Sequence, residues 1–288
     1  MNNTHGAIGP YFLDNIYCAD ALRFMRWLPD NCIDLVVTSP PYDNLRTYNG
    51  YSFDFEGIAH EAYRVIKPGG VMVWVVGDSV VNGSETLTSM RQAIYFVDTV
   101  GFRMHDTMIY GKDGMPFPDT TRYYQNAEFM FVLSKGAPKT VNLQRTKTTH
   151  TSKTFTSQRN ADGSITPMKY GLGKETRVLS NIWLLGTGYM KTTKDKKAFD
   201  HPAMFPEELA RRHIVTWSNP GDLVLDFMSG SGTTCKMARN TGRHYLGCDV
   251  SLEYVTDSRT RLAQPFMPDM FITQDVQAAT HKQRVLFD

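Results

Sequence analysis

Short apolar runs that stop at a small or acidic residue recur along the chain. Ile16-Tyr17-Cys18-Ala19 stops at Asp20, Ile33–Val37 at Thr38, and Val71–Val76 at Gly77. Leu223-Val224-Leu225 stops at Asp226, and Tyr245–Cys248 at Asp249. Between them, apolar residues recur at helical spacing over 21–28, 55–66, 86–99, 206–217, 233–241 and 251–263. Strands alternating with amphipathic helices predict an α/β fold, a doubly wound and mostly parallel sheet. Lys67-Pro68-Gly69-Gly70 reads as a helix stop and a tight turn into the next strand. Segments 103–110 and 127–134 read as an antiparallel hairpin at one edge of the sheet. From about 136 to 200 the rhythm lapses, and it resumes at Pro206. The expected organisation is therefore one half-domain over 1–135, an insertion over 136–200, and a second half-domain over 201–288.

A chain of 288 residues, 41% of them hydrophobic, suits one large domain carrying such an insertion. No apolar run approaches the roughly 20 residues that span a bilayer. The first residues have no basic stretch followed by an apolar one, so the expectation is a cytoplasmic protein with no membrane contact. Cys18, Cys32, Cys235 and Cys248 form no CxxC pair. They predict no metal site and read as small buried hydrophobes.

Charge changes the picture more. The net charge of +2 hides twelve Lys and Arg against three acids within 139–197, a local +9 that leaves −7 elsewhere. A basic, Thr/Ser-rich block in an acidic domain points to a polyanion-facing insertion.

Two phrases carry candidate chemistry. In Asp34-Leu-Val-Val-Thr38-Ser39-Pro40-Pro41-Tyr42 a buried strand delivers Ser-Pro-Pro-Tyr to its carboxyl end, where open α/β sheets bind ligands. The Ser39 hydroxyl and the Pro40 carbonyl are two acceptors that could draw a conjugated amine toward tetrahedral geometry and free its lone pair. Consecutive prolines hold that carbonyl rigid, and the Tyr42 ring offers a stacking face for an extruded base. The second phrase is Asp226-Phe-Met228-Ser229-Gly230-Ser231-Gly232-Thr233, a strand end, a Gly-rich turn and a helix start. Asp249 ends the next strand, where an acid can take both hydroxyls of a ribose. Backbone N–H groups at the helix start can hold a carboxylate. No GxGxxG occurs, so a methionine carboxylate fits this turn better than a pyrophosphate.

Together these phrases resemble the amino-methyltransferases of bacterial DNA modification, and their order, Ser-Pro-Pro-Tyr first and the Gly-rich turn late, resembles the family's permuted β group. Arg64-Val-Ile-Lys-Pro-Gly-Gly, Glu128-Phe-Met-Phe-Val-Leu, His201-Pro-Ala-Met-Phe-Pro-Glu-Glu-Leu209 and Asn219-Pro-Gly-Asp match as well. The resemblance covers about 12–135 and 181–263. It implies S-adenosyl-L-methionine as cofactor, double-stranded DNA as substrate, a homodimer as the expected assembly, and transfer to an exocyclic base amine. N4 of cytosine is favoured over N6 of adenine because Ser39 stands where most adenine-modifying relatives have Asp. Ser39, Pro40, Pro41 and Tyr42 become the catalytic residues. Asp20 is expected on the cofactor adenine, Asp249 on the ribose, and Ser229–Thr233 on the methionine end. Thr38 and Asp226 are assigned to the same cofactor site. Where the family has Asp-Pro-Phe this chain has Asp226-Phe227-Met228, so Met228 is expected in the aromatic slot. Arg46 and the basic run Lys191, Lys194, Lys196 and Lys197 are the candidate DNA contacts. Asp226, Asp249, Asp20 and Ser39 are expected along one rim of the sheet, in that spatial order.

Other readings compete. Protein-glutamine and RNA-guanine methyltransferases present a similar Pro-Pro-Tyr, but place the cofactor turn before it. A C5-cytosine enzyme needs a cysteine nucleophile after proline, and no cysteine here follows one. An inactive DNA-binding relative would have no reason to keep Ser39, Tyr42, Gly230, Gly232 and Asp249. Tyr123, Tyr124 and Phe129 are further candidates for stacking on the extruded base, and the loop 43–53 for a lid.

Overall fold

A computed structural model of the chain describes residues 6–41, 53–112, 121–147, 155–169, 175–186, 192–193 and 205–264. Its centre is an eight-stranded sheet. The strands are β1 (Asn15–Cys18), β2 (Ile33–Thr38), β3 (Ile66–Val76), β4 (Arg103–Lys112), β5 (Ala127–Ser134), β6 (Ile182–Leu185), β7 (Leu223–Asp226) and β8 (His244–Asp249). Their order across the sheet is β6-β4-β5-β3-β2-β7-β8-β1. Strand β5 is antiparallel to both of its neighbours, and every other pairing is parallel.

Among the described residues six α-helices cover the sheet: α1 (Ala21–Arg26), α2 (Phe55–Val65), α3 (Thr88–Tyr95), α4 (Glu207–Trp217), α5 (Thr233–Asn240) and α6 (Leu252–Leu262). Side chains alternate faces along a strand, so each central strand feeds two cores. Val36 joins Phe24, Ile58 and Phe96 beneath α1–α3. Leu35 and Val37 join Leu209, Met237 and Val255 beneath α4–α6. Strands buried on both faces explain the continuous apolar runs in the sequence.

The structure differs from the sequence reading in three places. The hairpin β4–β5 is not the edge of the sheet, because β6 pairs with β4, Ile182 opposite Ile109 through Leu185 opposite Lys112. Four apolar residues inside a basic block carried too weak a pattern to show this. Lys67–Gly70 is no free turn; it lies within β3, and the β2–β3 register shifts between Ile33 and Leu35 to accommodate it. Gly69 (φ 81°) donates its N–H to the Lys135 carbonyl at 2.7 Å, and a Cβ there would stand 2.9 Å from that of Lys139. The rim order also changes. Strand order makes it Ser39, Asp226, Asp249, Asp20, with Ser39 beside Asp226 and remote from Asp20. Strand β7 pairs directly with β2, so Ser39 stands at the Asp226 end of the row and not at the Asp20 end.

Within 136–181 the described strands pair only locally, 145–147 with 176–178 and 155–159 with 165–169. No described helix is long and apolar enough to cross a membrane.

Candidate active site

The site is assembled where β2 and β7 lie side by side at the middle of the sheet. Thr38, the last residue of β2, is wholly buried and donates to Asp226 Oδ1 at 2.7 Å. Thr234, in the first turn of α5, donates to the Val37 carbonyl at 3.0 Å, which places its hydroxyl beside Asp226. The Met228 N–H donates to Asp226 Oδ1 at 3.2 Å. Thr38 and Asp226 were expected on the cofactor. Their polar groups instead face each other below the rim, where they brace the Ser-Pro-Pro segment against the Gly-rich turn. Burial raises the Asp226 pKa to about 6, against the opposing hydrogen bonds from Thr38, Thr234 and the Met228 N–H. Immediately beyond Thr38 come Ser39, half-buried, Pro40, buried, and Pro41, half-buried.

The turn after β7 is shaped by its glycines. Gly230 and Gly232 have φ of 47° and 76°, the left-handed region that glycine adopts at low cost. A Cβ on Gly232 would also come within 2.8 Å of Ser258 Cβ, so α6 packs directly on the turn. The Ser229 N–H donates to the Cys248 carbonyl at 2.9 Å, which ties the turn to β8. Asp249, at the end of β8, accepts from the Gly230 N–H through Oδ2 and from the Ser251 N–H through Oδ1, both at 2.9 Å. Burial pushes its pKa up, with those two N–H groups opposing. Each carboxylate oxygen has a further lone pair, so Asp249 can brace the turn and still accept from two hydroxyls.

Phe227 turns inward and packs 6.4 Å from Trp74, centroid to centroid, while Met228 stays half-buried at the rim. Asp20 is exposed and caps α1, accepting from the Arg23 N–H at 2.9 Å. Ser229 Oγ is buried and finds no hydrogen-bond partner among the described residues. An orphaned hydroxyl inside a Gly-rich turn, beside a carboxylate at the next strand end, fits the polar methionine end and the ribose of S-adenosyl-L-methionine.

Of the stacking candidates, Tyr123 is 99% exposed, and Phe129 lies flat against Phe131 with centroids 5.3 Å apart. Tyr42, Arg46, Lys191, Lys194, Lys196 and Lys197, and the lid segment up to residue 52, lie outside the described residues. Sequence reasoning missed Thr234 and a buried cluster of Arg261, Glu207, Lys236 and Thr193 beneath the turn. Charged residues on amphipathic helices read as solvated, and nothing in one sequence separates a buried arginine from an exposed one.

Comparison with known proteins identifies the family. A family model described as DNA methylase matches residues 33–260. The orphan methyltransferase M.BamHII of Bacillus amyloliquefaciens is 53% identical over 241 residues, covering 81% of this chain and 89% of that protein. Among solved structures, PvuII DNA methyltransferase (cytosine-N4-specific) superposes with a TM-score of 0.65 at 20% identity, covering 94% of both chains. A DNA modification methylase from Thermus thermophilus, complexed with S-adenosyl-L-methionine, gives 0.58 at 22% identity, covering 86% of this chain and 93% of that one. At these identities the two structures speak to the fold, and the family match together with the relative at 53% speaks to kinship. With Ser-Pro-Pro ahead of the Gly-rich turn, the chain belongs to the DNA methylase family as a β-group amino-methyltransferase that uses S-adenosyl-L-methionine to methylate DNA.

Proposed function

We propose that the chain flips a cytosine out of double-stranded DNA and methylates its N4 amine at Ser39-Pro40-Pro41-Tyr42. The supporting observation is the Thr38–Asp226 bond at 2.7 Å, which fixes Ser39 one residue from the anchor of the cofactor turn. When bound, S-adenosyl-L-methionine supplies an electrophilic methyl group on a sulfonium. The Ser39 hydroxyl oxygen and the Pro40 carbonyl accept the two N–H groups of the amine and free its lone pair. The bound cofactor would supply the methyl carbon, its carbon–sulfur bond breaking as the carbon–nitrogen bond forms, and the proton released from nitrogen would pass to water. Tyr42 stacks on the extruded base. Ser229–Thr233 hold the methionine end, with Met228 against the cofactor, Asp249 on the ribose and Asp20 on the adenine. A neutral hydroxyl at position 39, as in enzymes that this motif resembles, favours cytosine over adenine. Such a substrate implies work in the cytoplasm.

Nucleoside digestion of DNA methylated by the purified protein, followed by mass spectrometry, identifies the product. N4-methylcytosine is expected. N6-methyladenine would reverse the choice of base, and 5-methylcytosine would sink the mechanism.

Residues 136–200 are proposed to read the DNA, returning to the sheet through β6. Replacing Lys191, Lys194, Lys196 and Lys197 by Gln should weaken DNA binding and flatten its salt dependence. Each lost phosphate contact should lower the magnitude of the slope of log K against log salt by about 0.9. A titration series with an unchanged slope would place the DNA elsewhere.

Asp249→Ala should weaken S-adenosyl-L-methionine binding by roughly 1.5–3 kcal/mol, the worth of charge-assisted hydrogen bonds. Part of that loss arises indirectly, since the Gly230 N–H also loses its acceptor. Calorimetry measures it, and an undiminished affinity would remove Asp249 from the site.

A further inference from the structure

Beneath the Gly-rich turn lies a buried polar cluster that the reaction as described does not use. Arg261, in the last turn of α6, is 2% exposed. Its Nη1 donates to the Ser231 carbonyl and to Thr233 Oγ1, each at 3.0 Å. Its Nη2 donates to Glu207 Oε1 at 2.5 Å and to Thr193 Oγ1 at 3.3 Å. Glu207, the first residue of α4 and 3% exposed, also accepts from Thr193 Oγ1 at 2.7 Å and from Lys236 Nζ at 2.8 Å. The Glu207 N–H donates to the Thr192 carbonyl at 3.1 Å.

Burying an arginine is costly unless its donors are satisfied. Here one edge of the guanidinium is spent on the turn itself, and the other on a carboxylate fixed to the neighbouring helix. The planar fork sets two donor directions at once, which an ammonium cannot do. The Ser231 carbonyl lies between two glycines in left-handed backbone, and the N–H of the same peptide, on Gly232, donates to the Ser229 carbonyl at 2.7 Å, so Arg261 and this bond fix the plane together.

We propose that Arg261, anchored by Glu207, is a positioning residue for the methionine end of the cofactor. It holds the Ser231 carbonyl and the Thr233 hydroxyl downward, which fixes the shape that the turn offers the ligand. Glu207 fixes the guanidinium plane, and Thr193 fastens the C-terminal part of the insertion to the same carboxylate. This inference rests on the reading that Ser229–Thr233 hold the methionine end.

The test compares S-adenosyl-L-methionine with 5′-methylthioadenosine, which has the adenosine and thioether but no amino-acid end. In Arg261→Met, calorimetry should show S-adenosyl-L-methionine weakened about tenfold or more. Affinity for methylthioadenosine, affinity for DNA and the circular dichroism spectrum should stay at the parent values. KM for the cofactor should rise with kcat at saturation largely kept. Arg261→Lys, which retains charge without the fork, should recover only part of the affinity, and Glu207→Gln should fall between. Equal weakening of both ligands, or none, would overturn the proposal. Should Arg261→Met not fold, Arg261→Lys and Glu207→Gln are judged by the same selectivity. Gly232→Ala, which reshapes the turn directly, separates the two ideas. If it too leaves S-adenosyl-L-methionine binding intact, the turn reading fails. If it weakens binding while the Arg261 variants do not, only the positioning role fails.

Discussion

Ser39→Ala should slow methyl transfer by roughly 10²–10³-fold at saturating cofactor and DNA, the cost of deleting one preorganised hydrogen-bond partner of a transition state. The loss should fall on kcat. The hydroxyl oxygen matters most as the amine leaves the plane of its ring and its N–H groups become stronger donors, a change absent from the ground state. Thr38 and Asp226, which set the position of the segment, are untouched, so S-adenosyl-L-methionine affinity should match the parent. Single-turnover transfer of a labelled methyl group to an oligonucleotide duplex gives the rate. A variant within a few-fold of the parent would show that the Pro40 carbonyl suffices, and would remove Ser39 from the chemistry.

Folding stability should fall as pH rises from about 4 to about 6, and Asp226 should be the cause. Its carboxyl titrates near 6 in the folded protein, against an ordinary 3.8 once unfolded. Between those values the folded state holds a proton that the unfolded state has released, so raising the pH favours unfolding. The full difference amounts to about 3 kcal/mol and is complete above the folded value. Asp226→Asn, which keeps an oxygen for Thr38 but cannot ionise, should lack this component. Denaturant midpoints of parent and variant at matched pH would show the parent gaining on the variant toward pH 4. Parallel curves would mean that Asp226 is not the titrating group.

Much of this architecture was legible because the strands are buried on both sides. Continuous apolar runs such as Leu35–Val37 and Val71–Val76 announce themselves, and six helices follow the apolar spacing to within a few residues. Where one weak segment completes a larger element, pattern reading failed. β6 exposes Ile182 and Leu184 and buries Trp183 and Leu185, four residues whose alternation is lost among basic neighbours. The positions of the Ser-Pro-Pro and Gly-rich phrases at strand ends were legible because each strand and its turn are contiguous in sequence. The roles of Thr38, Thr234 and Arg261 were not, since each depends on a partner 188, 197 or 30 positions away. Separation in sequence hides such pairs from any local pattern.

The junction of β2 with β7 also bears on how the protein is made. The central pairing, Val224 opposite Leu35 and Leu225 opposite Val36, joins residues from opposite ends of the chain. At the roughly 5–20 residues per second of ribosomal synthesis, β2 emerges many seconds before its neighbour. Throughout that interval a nascent chain carries an apolar strand with one open edge, the kind of surface that pairs with other chains. Non-local pairing of this sort also makes folding slow. The Ser-Pro-Pro segment and the Gly-rich turn therefore come together in a single late event. A chain released before β7 has no half-built activity to display.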